Sequence, residues 1–264
     1  MAHAETLKSF LFVLLTAGLA GSVLAADTSE LILARAGNLP ILLTAPHGGD
    51  KSVPGVPPRS RGTTGTDTHT LEIAQELHAQ LGKRLGAQPY LVAARFSRKS
   101  IDANRAEADA IESPAAKPAY DAYHEQIRQF VAEIRQKFPK GGVLIDLHGQ
   151  AEDPFVLQRG TRNGRTVAAL LEKHGPDALV GPKSILGVVA SKRYKVFPPP
   201  GAPIGSPEED RRYNGGHTVA TYRSRGGEGL DAIQLELGNI LRTDRSFTPV
   251  LADAIAVFYR SYFE

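Results

Sequence analysis

Short apolar runs alternate with longer amphipathic segments along most of this chain, and that alternation is the strongest constraint on its fold. The apolar runs predict strands at residues 30–36, 41–45, 90–96, 143–147, 185–190 and 232–237. Apolar residues at helical spacing predict one helix with Asp67 as its N-cap and Gly86 as its stop, and others at residues 120–138, 166–174 and 247–263. Strands that alternate with helices predict an α/β fold with a mostly parallel or mixed sheet.

Two connections are also predicted from local sequence. The first two apolar runs flank Gly37 and Asn38, which indicates a hairpin or strand pair, and three consecutive prolines within residues 196–207 predict a loop. The chain has 264 residues, of which 42% are hydrophobic, and it contains neither an internal repeat nor a linker. We therefore predict a single three-layer domain over residues 26–264, with a central sheet flanked by helices.

The first 25 residues differ from the rest of the chain. Lys8 precedes an apolar run at residues 10–20, and the segment ends in Val23, Leu24 and Ala25, which suits a signal peptidase. We predict a signal peptide at residues 1–25, export to the periplasm or secretion, and no stable membrane insertion after cleavage. The alternative is an uncleaved N-terminal anchor, although the apolar stretch is short for a spanning helix.

The residue composition excludes several kinds of chemistry. The chain contains no cysteine, which rules out disulfides, thiolate nucleophiles, cysteine-ligated zinc and iron–sulfur clusters. A metal would have to be held by histidine, aspartate or glutamate. The 31 basic and 28 acidic residues are well mixed and give a net charge of +3. This charge distribution does not indicate nucleic acid binding, and it is compatible with a small anionic substrate.

Polar residues follow several of the predicted strands, at the sheet edge where α/β proteins place their sites. His47 and His148 each precede a glycine at such a strand end, and acidic residues lie nearby. Either histidine alone would more often be structural. Together they predict a metal site in which two histidines and one carboxylate leave an open position on zinc.

Glu236 and Arg105 each allow two interpretations. Glu236 lies in an otherwise apolar strand, so it either faces solvent on an edge strand or lies in the cleft as a general base. Arg105 follows Asn104 and is either a surface residue or a bidentate ligand for a substrate carboxylate.

Four segments, in order, resemble the N-formylglutamate amidohydrolase family, which belongs to the zinc-dependent exopeptidase-like hydrolases. They are PHGG at 46–49, SRKSIDANRAEAD at 97–109, DLHGQ at 146–150 and YNGGHTVATYRSRGGEGLDAIQLELG at 213–238. The resemblance extends from about residue 40 to residue 242. In the last segment, Thr221 and Arg223 stand where the family has histidine and glycine, which leaves the substrate open.

The resemblance implies roles for individual residues. It implies one zinc ion held by His47, an acid and His148, with Asn104 and Arg105 binding the substrate carboxylate. It also implies Glu236 as the catalytic base, Arg98 as a second catalytic residue that polarises the substrate carbonyl, and His217 as a substrate-binding residue. The position of Asp67 at the start of the first long helix favours Asp67 as this acid. Asp50 and His69 are the alternatives.

The expected function is that of a metal-dependent hydrolase. It would cleave the amide bond of an N-acyl amino acid similar to N-formylglutamate, or of a short peptide, next to a free carboxylate. Two other functions stay open at this point. One is an exported, catalytically silent binding protein for carboxylate ligands, and the other is a cell-wall peptide amidase or carboxypeptidase.

Overall fold

The computed structural model describes residue 1, residues 28–224 and residues 229–264. The predicted signal peptide therefore lies outside the described residues, apart from Met1. The described residues form seven strands: β1 (Ile32–Arg35), β2 (Ile41–Ala45), β3 (Tyr90–Ala94), β4 (Val143–Gln150), β5 (Val156–Gly160), β6 (Lys195–Phe197) and β7 (Asp231–Gly238).

All seven strands belong to one sheet, in the order β1-β3-β2-β4-β7-β5-β6. The pairs β2–β3, β2–β4, β4–β7 and β5–β6 are parallel. The pairs β1–β3 and β5–β7 are antiparallel. The predicted mixed α/β sheet is therefore confirmed.

Helices cover both faces of the sheet. The described residues form α1 (Thr70–Leu85), α2 (Glu107–Ala110), α3 (Lys117–Lys137), α4 (Ala168–His174), α5 (Asp177–Val180), α6 (Ile185–Ser191), α7 (His217–Thr221), α8 (Asn239–Thr243) and α9 (Phe247–Tyr262). The apolar residues of α1, α6 and α9 pack in one core with side chains such as Leu43 and Ile145. Those of α3 pack in a second core with Leu42 and Leu144. Alternation along each buried strand thus supplies both layers.

Three local predictions are wrong. The first two strands do not pair with each other, because β3 lies between them. Residues 185–190 form helix α6 and not a strand, since Ser184 caps it by accepting a hydrogen bond from the Gly187 amide and its apolar face packs into the core with α9. Part of the predicted loop at 196–207 belongs to β6, which pairs with β5, a strand that the sequence did not predict.

The start of α1 also differs from the prediction. The helix begins at Thr70, after His69 in a left-handed backbone conformation with a φ of 68°. Asp67 therefore does not cap the helix with its side chain, and its carboxylate is available elsewhere. The predicted stop is confirmed, because Gly86 ends the helix at a φ of 71°.

The lengths of the central strands create room for a site. Strands β4 and β7 pair over eight residues, whereas β2 pairs with β4 over only four. The carboxyl ends of β4 and β7 therefore extend beyond their neighbour and carry polar side chains. Among the described helices, none is long and apolar enough to cross a membrane.

Candidate active site

Three side chains converge at the carboxyl ends of β2 and β4 and just before α1. They are the buried side chains of His47, Asp67 and His148. Nδ1 of His47 lies 3.2 Å from Nδ1 of His148 and 3.4 Å from Oδ2 of Asp67. Nδ1 of His148 lies 3.3 Å from the same carboxylate oxygen. The three atoms form a nearly equilateral triangle.

This triangle has the dimensions of a zinc site. In tetrahedral coordination, Zn–N and Zn–O bonds of about 2.0–2.1 Å place neighbouring ligand atoms about 3.3–3.4 Å apart. Two imidazole nitrogens and one carboxylate oxygen also leave a fourth position open, as in catalytic zinc sites. His47, Asp67 and His148 could therefore hold one metal ion.

Each histidine has a second carboxylate within hydrogen-bond distance of its other ring nitrogen, Nε2. Nε2 of His47 lies 2.7 Å from Oδ1 of Asp102, and Nε2 of His148 lies 2.9 Å from Oδ2 of Asp146. Asp146 in turn accepts a hydrogen bond of 2.6 Å from the hydroxyl of Thr44. Such partners fix the ring orientation and leave Nδ1 of each histidine free for a metal.

The turn that follows His47 requires a glycine at position 48. A Cβ atom on Gly48 would lie 2.4 Å from the backbone nitrogen of Leu71 in α1. Only glycine can therefore occupy this position, where the chain leaving β2 passes against the helix. The close approach fixes His47 beside the segment that carries Asp67.

Buried charges in the site offset one another. Burial alone would raise the pKa of Asp67, but hydrogen bonds from His148 and His47 hold it well below its usual range. Asp102 behaves in the same way, because its partners His47 and Arg98 outweigh the effect of burial. Burial would lower the pKa of His148, but Asp146 and Asp67 raise it well above its usual value. The site therefore combines ionised carboxylates with a histidine that is positively charged in the absence of a metal.

The structure places the two alternative ligands outside this group. Asp50 and His69 are both exposed, and neither belongs to the described cluster that could hold a metal. Asp67 instead receives a hydrogen bond of 3.0 Å from the backbone amide of Gly149 on Oδ2.

We expect Asp67→Ala to abolish stoichiometric zinc binding, because it removes one corner of the ligand triangle. Asp50→Ala is the matched control and should keep one zinc ion per chain. Metal analysis of both purified variants after dialysis checks the result. Loss of zinc in Asp50→Ala with retention in Asp67→Ala would reverse the ligand assignment.

Glu236 lies beside this group and not on a solvent-facing edge. Strand β7 lies between β4 and β5, and Glu236 is the direct neighbour of His148 across the β4–β7 pair. Burial raises the pKa of Glu236 to about 7. Its Oε1 accepts a hydrogen bond of 2.8 Å from Nε2 of Gln234, whose own Oε1 accepts one of 2.7 Å from the Gly216 amide. The hydrogen bond from Gln234 thus fixes the orientation of one carboxylate oxygen of Glu236.

Arg98 and Asn104 are engaged with the site itself. Nε and Nη2 of Arg98 lie 3.1 and 3.0 Å from Oδ2 of Asp102, and Nη1 lies 3.5 Å from Oδ1 of Asp67. Nδ2 of Asn104 lies 3.1 Å from Nε2 of His148, and its Oδ1 accepts a hydrogen bond from the Thr218 amide. Both side chains therefore position members of the His47, Asp67 and His148 group, and their contact with substrate stays a prediction.

Arg105 and His217 lie further from the triangle. Arg105 is exposed, lines the cleft and makes no ion pair with the described residues. His217 packs edge-on against His124, with ring centroids 5.6 Å apart, and is absent from the lining of the cleft. Burial, with Arg105 and Arg162, lowers the pKa of His217. The predicted substrate-binding role of His217 is untested.

A cleft of about 680 Å³ opens over the triangle and Glu236. Among the lining residues that sequence reasoning missed is Arg242 in α8. The available signal was its position six residues after Glu236, just beyond a strand end, where sites in α/β proteins collect their side chains.

Two solved structures share this fold. One is N-formylglutamate amidohydrolase from Ralstonia eutropha JMP134, which is 17% identical, has a TM-score of 0.57, and covers 88% of this chain and 97% of its own. The other is a gene product of Agrobacterium tumefaciens, with 15% identity, a TM-score of 0.53, and coverage of 89% and 95% respectively. No family model and no curated protein matches the sequence. At these identities the likeness shows the fold alone.

Proposed function

We propose that this protein is a zinc-dependent amidohydrolase of the N-formylglutamate amidohydrolase type, acting on N-acyl amino acids or short peptides with a free carboxylate. The observation that carries the proposal is the placement of Glu236 in the same cleft as the triangle of His47, Asp67 and His148. A set of metal ligands beside a buried carboxylate supplies the two groups that metal-assisted hydrolysis of an amide uses, a Lewis acid and a general base.

In the proposed reaction, a bound zinc ion and the side chains of the protein would have different roles. Zinc at this site would supply Lewis acidity, which polarises a carbonyl and makes water a nucleophile near neutral pH. Glu236 takes a proton from the attacking water and returns it to the leaving nitrogen as the C–N bond breaks. The water thus adds OH to the carbonyl carbon and H to the amine, and Glu236 ends in its starting state. Asp102 and Asp146 hold the two histidines throughout.

Two further observations support the choice of substrate. The four sequence segments that resemble the family include Glu236 and two residues of the triangle, His47 and His148. The solved structure with the same fold from Ralstonia eutropha is itself an N-formylglutamate amidohydrolase.

A direct assay tests the proposal. The purified protein is loaded with zinc and incubated with N-formylglutamate, other N-acyl amino acids and short cell-wall peptides, and the released amine is measured. We expect turnover that a chelator removes and that added zinc restores. Binding of these compounds without turnover would instead identify a silent binding protein.

Arg105 is expected to bind the carboxylate of the substrate. A guanidinium fork matches a carboxylate with two parallel bonds, and Arg105 has no ionic partner among the described residues that would compete. A hydrogen bond to a charged group is worth about 1.5–3 kcal/mol, so Arg105→Ala should lower kcat/KM about 10–150-fold. Arg105→Lys should also be poor, since an ammonium cannot form the fork.

Kinetics with paired substrates check this prediction. The loss in Arg105→Ala should appear for free acids and largely vanish for the matching carboxamides. If the unmodified enzyme cleaves acid and carboxamide equally well, Arg105 does not bind the carboxylate.

We also propose that the protein is exported and that the mature chain begins near Ala26. The support is the sequence Val23, Leu24 and Ala25 after an apolar run. N-terminal sequencing of protein from the native host should find Ala26 first. A chain that still begins at Met1 in the soluble cytoplasmic fraction would contradict this.

A further inference from the structure

The arginines of the cleft differ in whether their charge is balanced. Five of them line it: Arg98, Arg105, Arg211, Arg212 and Arg242. Arg98, Arg211 and Arg212 each form an ion pair with a carboxylate. Among the described residues, Arg105 and Arg242 have no such pair. These two arginines are unbalanced in the sense that neither forms an ion pair with a described carboxylate of the cleft.

Within the described ranges, the hydrogen bonds of Arg242 go to neutral groups only. Its Nη1 donates to the backbone oxygen of Thr68 at 2.7 Å, and its Nη2 donates to that of Gln150 at 3.2 Å. Its Nε is buried and has no acceptor in the described part of the chain. A half-buried guanidinium with an unsatisfied donor is costly unless an acceptor such as an anion joins it.

The backbone is adapted to keep this guanidinium at the cleft. A Cβ atom on Gly149 would lie 2.6 Å from Cζ of Arg242. Only a glycine at position 149 therefore leaves room for Arg242 against β4. The backbone amide of the same glycine donates a hydrogen bond to Asp67. Arg242 lines the same cleft as Asp67 and Glu236, which places it among the candidate reacting groups.

The two unbalanced arginines approach the site from opposite faces of the sheet. Arg105 is tied to the α3 side, because its backbone oxygen accepts a hydrogen bond from the hydroxyl of Tyr120 in that helix. Arg242 is tied to the α1 side through Thr68, just before that helix. If Arg105 binds the carboxylate on the amine half of the substrate, Arg242 lies on the side of the acyl half.

We propose that Arg242 forms a second anion subsite, and that the preferred substrate is an N-acyl amino acid whose acyl group itself carries a carboxylate. This inference rests on the proposed amidohydrolase function. A formyl group carries no charge and could not bind at this subsite. The inference therefore predicts that N-formyl amino acids are not the preferred substrates.

Matched substrates test the subsite. The zinc-loaded enzyme is assayed with N-succinyl-L-glutamate, with its succinamoyl analogue, which has the same shape without the charge, and with N-formyl-L-glutamate. We expect kcat/KM to be about 10-fold or more higher for the succinyl compound than for the succinamoyl compound. Arg242→Gln should reduce this ratio to about one, and Arg242→Lys should retain part of it because the charge remains. The control is Arg245→Gln, an exposed arginine outside the lining of the cleft, which should keep the full ratio.

The outcomes separate the inference from the function on which it rests. A ratio near one in the unmodified enzyme, or N-formylglutamate as the best substrate, overturns the subsite and leaves the amidohydrolase function standing. An unchanged ratio in Arg242→Gln, with all substrates slowed alike, also overturns it and assigns Arg242 to the reacting carbonyl or the fold. The ratio in the unmodified enzyme decides the question even if Arg242→Gln does not fold. Absence of turnover for every amide counts against the proposed function itself and removes the inference with it.

Discussion

His47→Ala and His148→Ala are each expected to lose zinc binding while the fold survives. Each substitution removes one corner of a triangle whose edges measure 3.2–3.4 Å. Loss of an outer partner of a metal ligand typically costs about 10–100-fold in affinity, and loss of the ligand itself should cost at least as much. Both histidines lie at the edge of the sheet, so the missing ring enlarges the cleft and does not open a cavity in either core.

Metal analysis and thermal unfolding check this together. A ligand that binds only the folded state raises its stability, by about 2.7 kcal/mol when free ligand is at 100 times its Kd. Zinc should therefore raise the Tm of the unmodified protein and leave that of both variants nearly unchanged. His69→Ala is the control and should respond to zinc normally, because His69 is exposed and outside the triangle. Full zinc content in either His47→Ala or His148→Ala would contradict the metal assignment.

Glu236→Gln is expected to keep zinc and the fold but to lose most turnover. The amide has nearly the shape of the carboxylate, and its oxygen can still accept the hydrogen bond from Gln234 that measures 2.8 Å in the structure. It cannot take a proton from water. Removal of a positioned general base typically costs about 10²–10⁴-fold, and the loss should fall on kcat with little change in KM.

Steady-state kinetics at matched zinc content measure this effect. Glu76→Gln is the control, since Glu76 is exposed on α1 and lies outside the cleft. It should behave like the unmodified enzyme. Turnover near the unmodified level in Glu236→Gln would exclude Glu236 as the base. A variant that loses zinc as well would indicate that Glu236 supports the metal.

The sequence alone was sufficient for the fold class and for the two histidines of the triangle, whereas it left the third member open between Asp67, Asp50 and His69. Strand and helix periods are local properties, so the alternation that predicts an α/β fold can be read directly. Parallel strands have their carboxyl ends at the same side of a sheet. His47 and His148, at the ends of two predicted strands, could therefore be expected to meet there. Gly86 was also predictable, because a left-handed helix stop depends on a single residue.

Only the tertiary structure decided the contacts that each candidate side chain makes and the conformation of one apolar segment. Asp67 is a good N-cap by sequence, yet its carboxylate turns to His47 and His148, since their hydrogen bonds outweigh a local cap. Residues 185–190 are apolar and partly β-branched like a strand, and the Ser184 cap together with packing against α9 makes them a helix. Whether an arginine is balanced depends on carboxylates that are distant in the chain, as Asp67 is from Arg98. Sequence therefore could not distinguish Arg98, which is neutralised, from Arg242, which is not, because ion pairing is a property of the folded neighbourhood and not of the residue type.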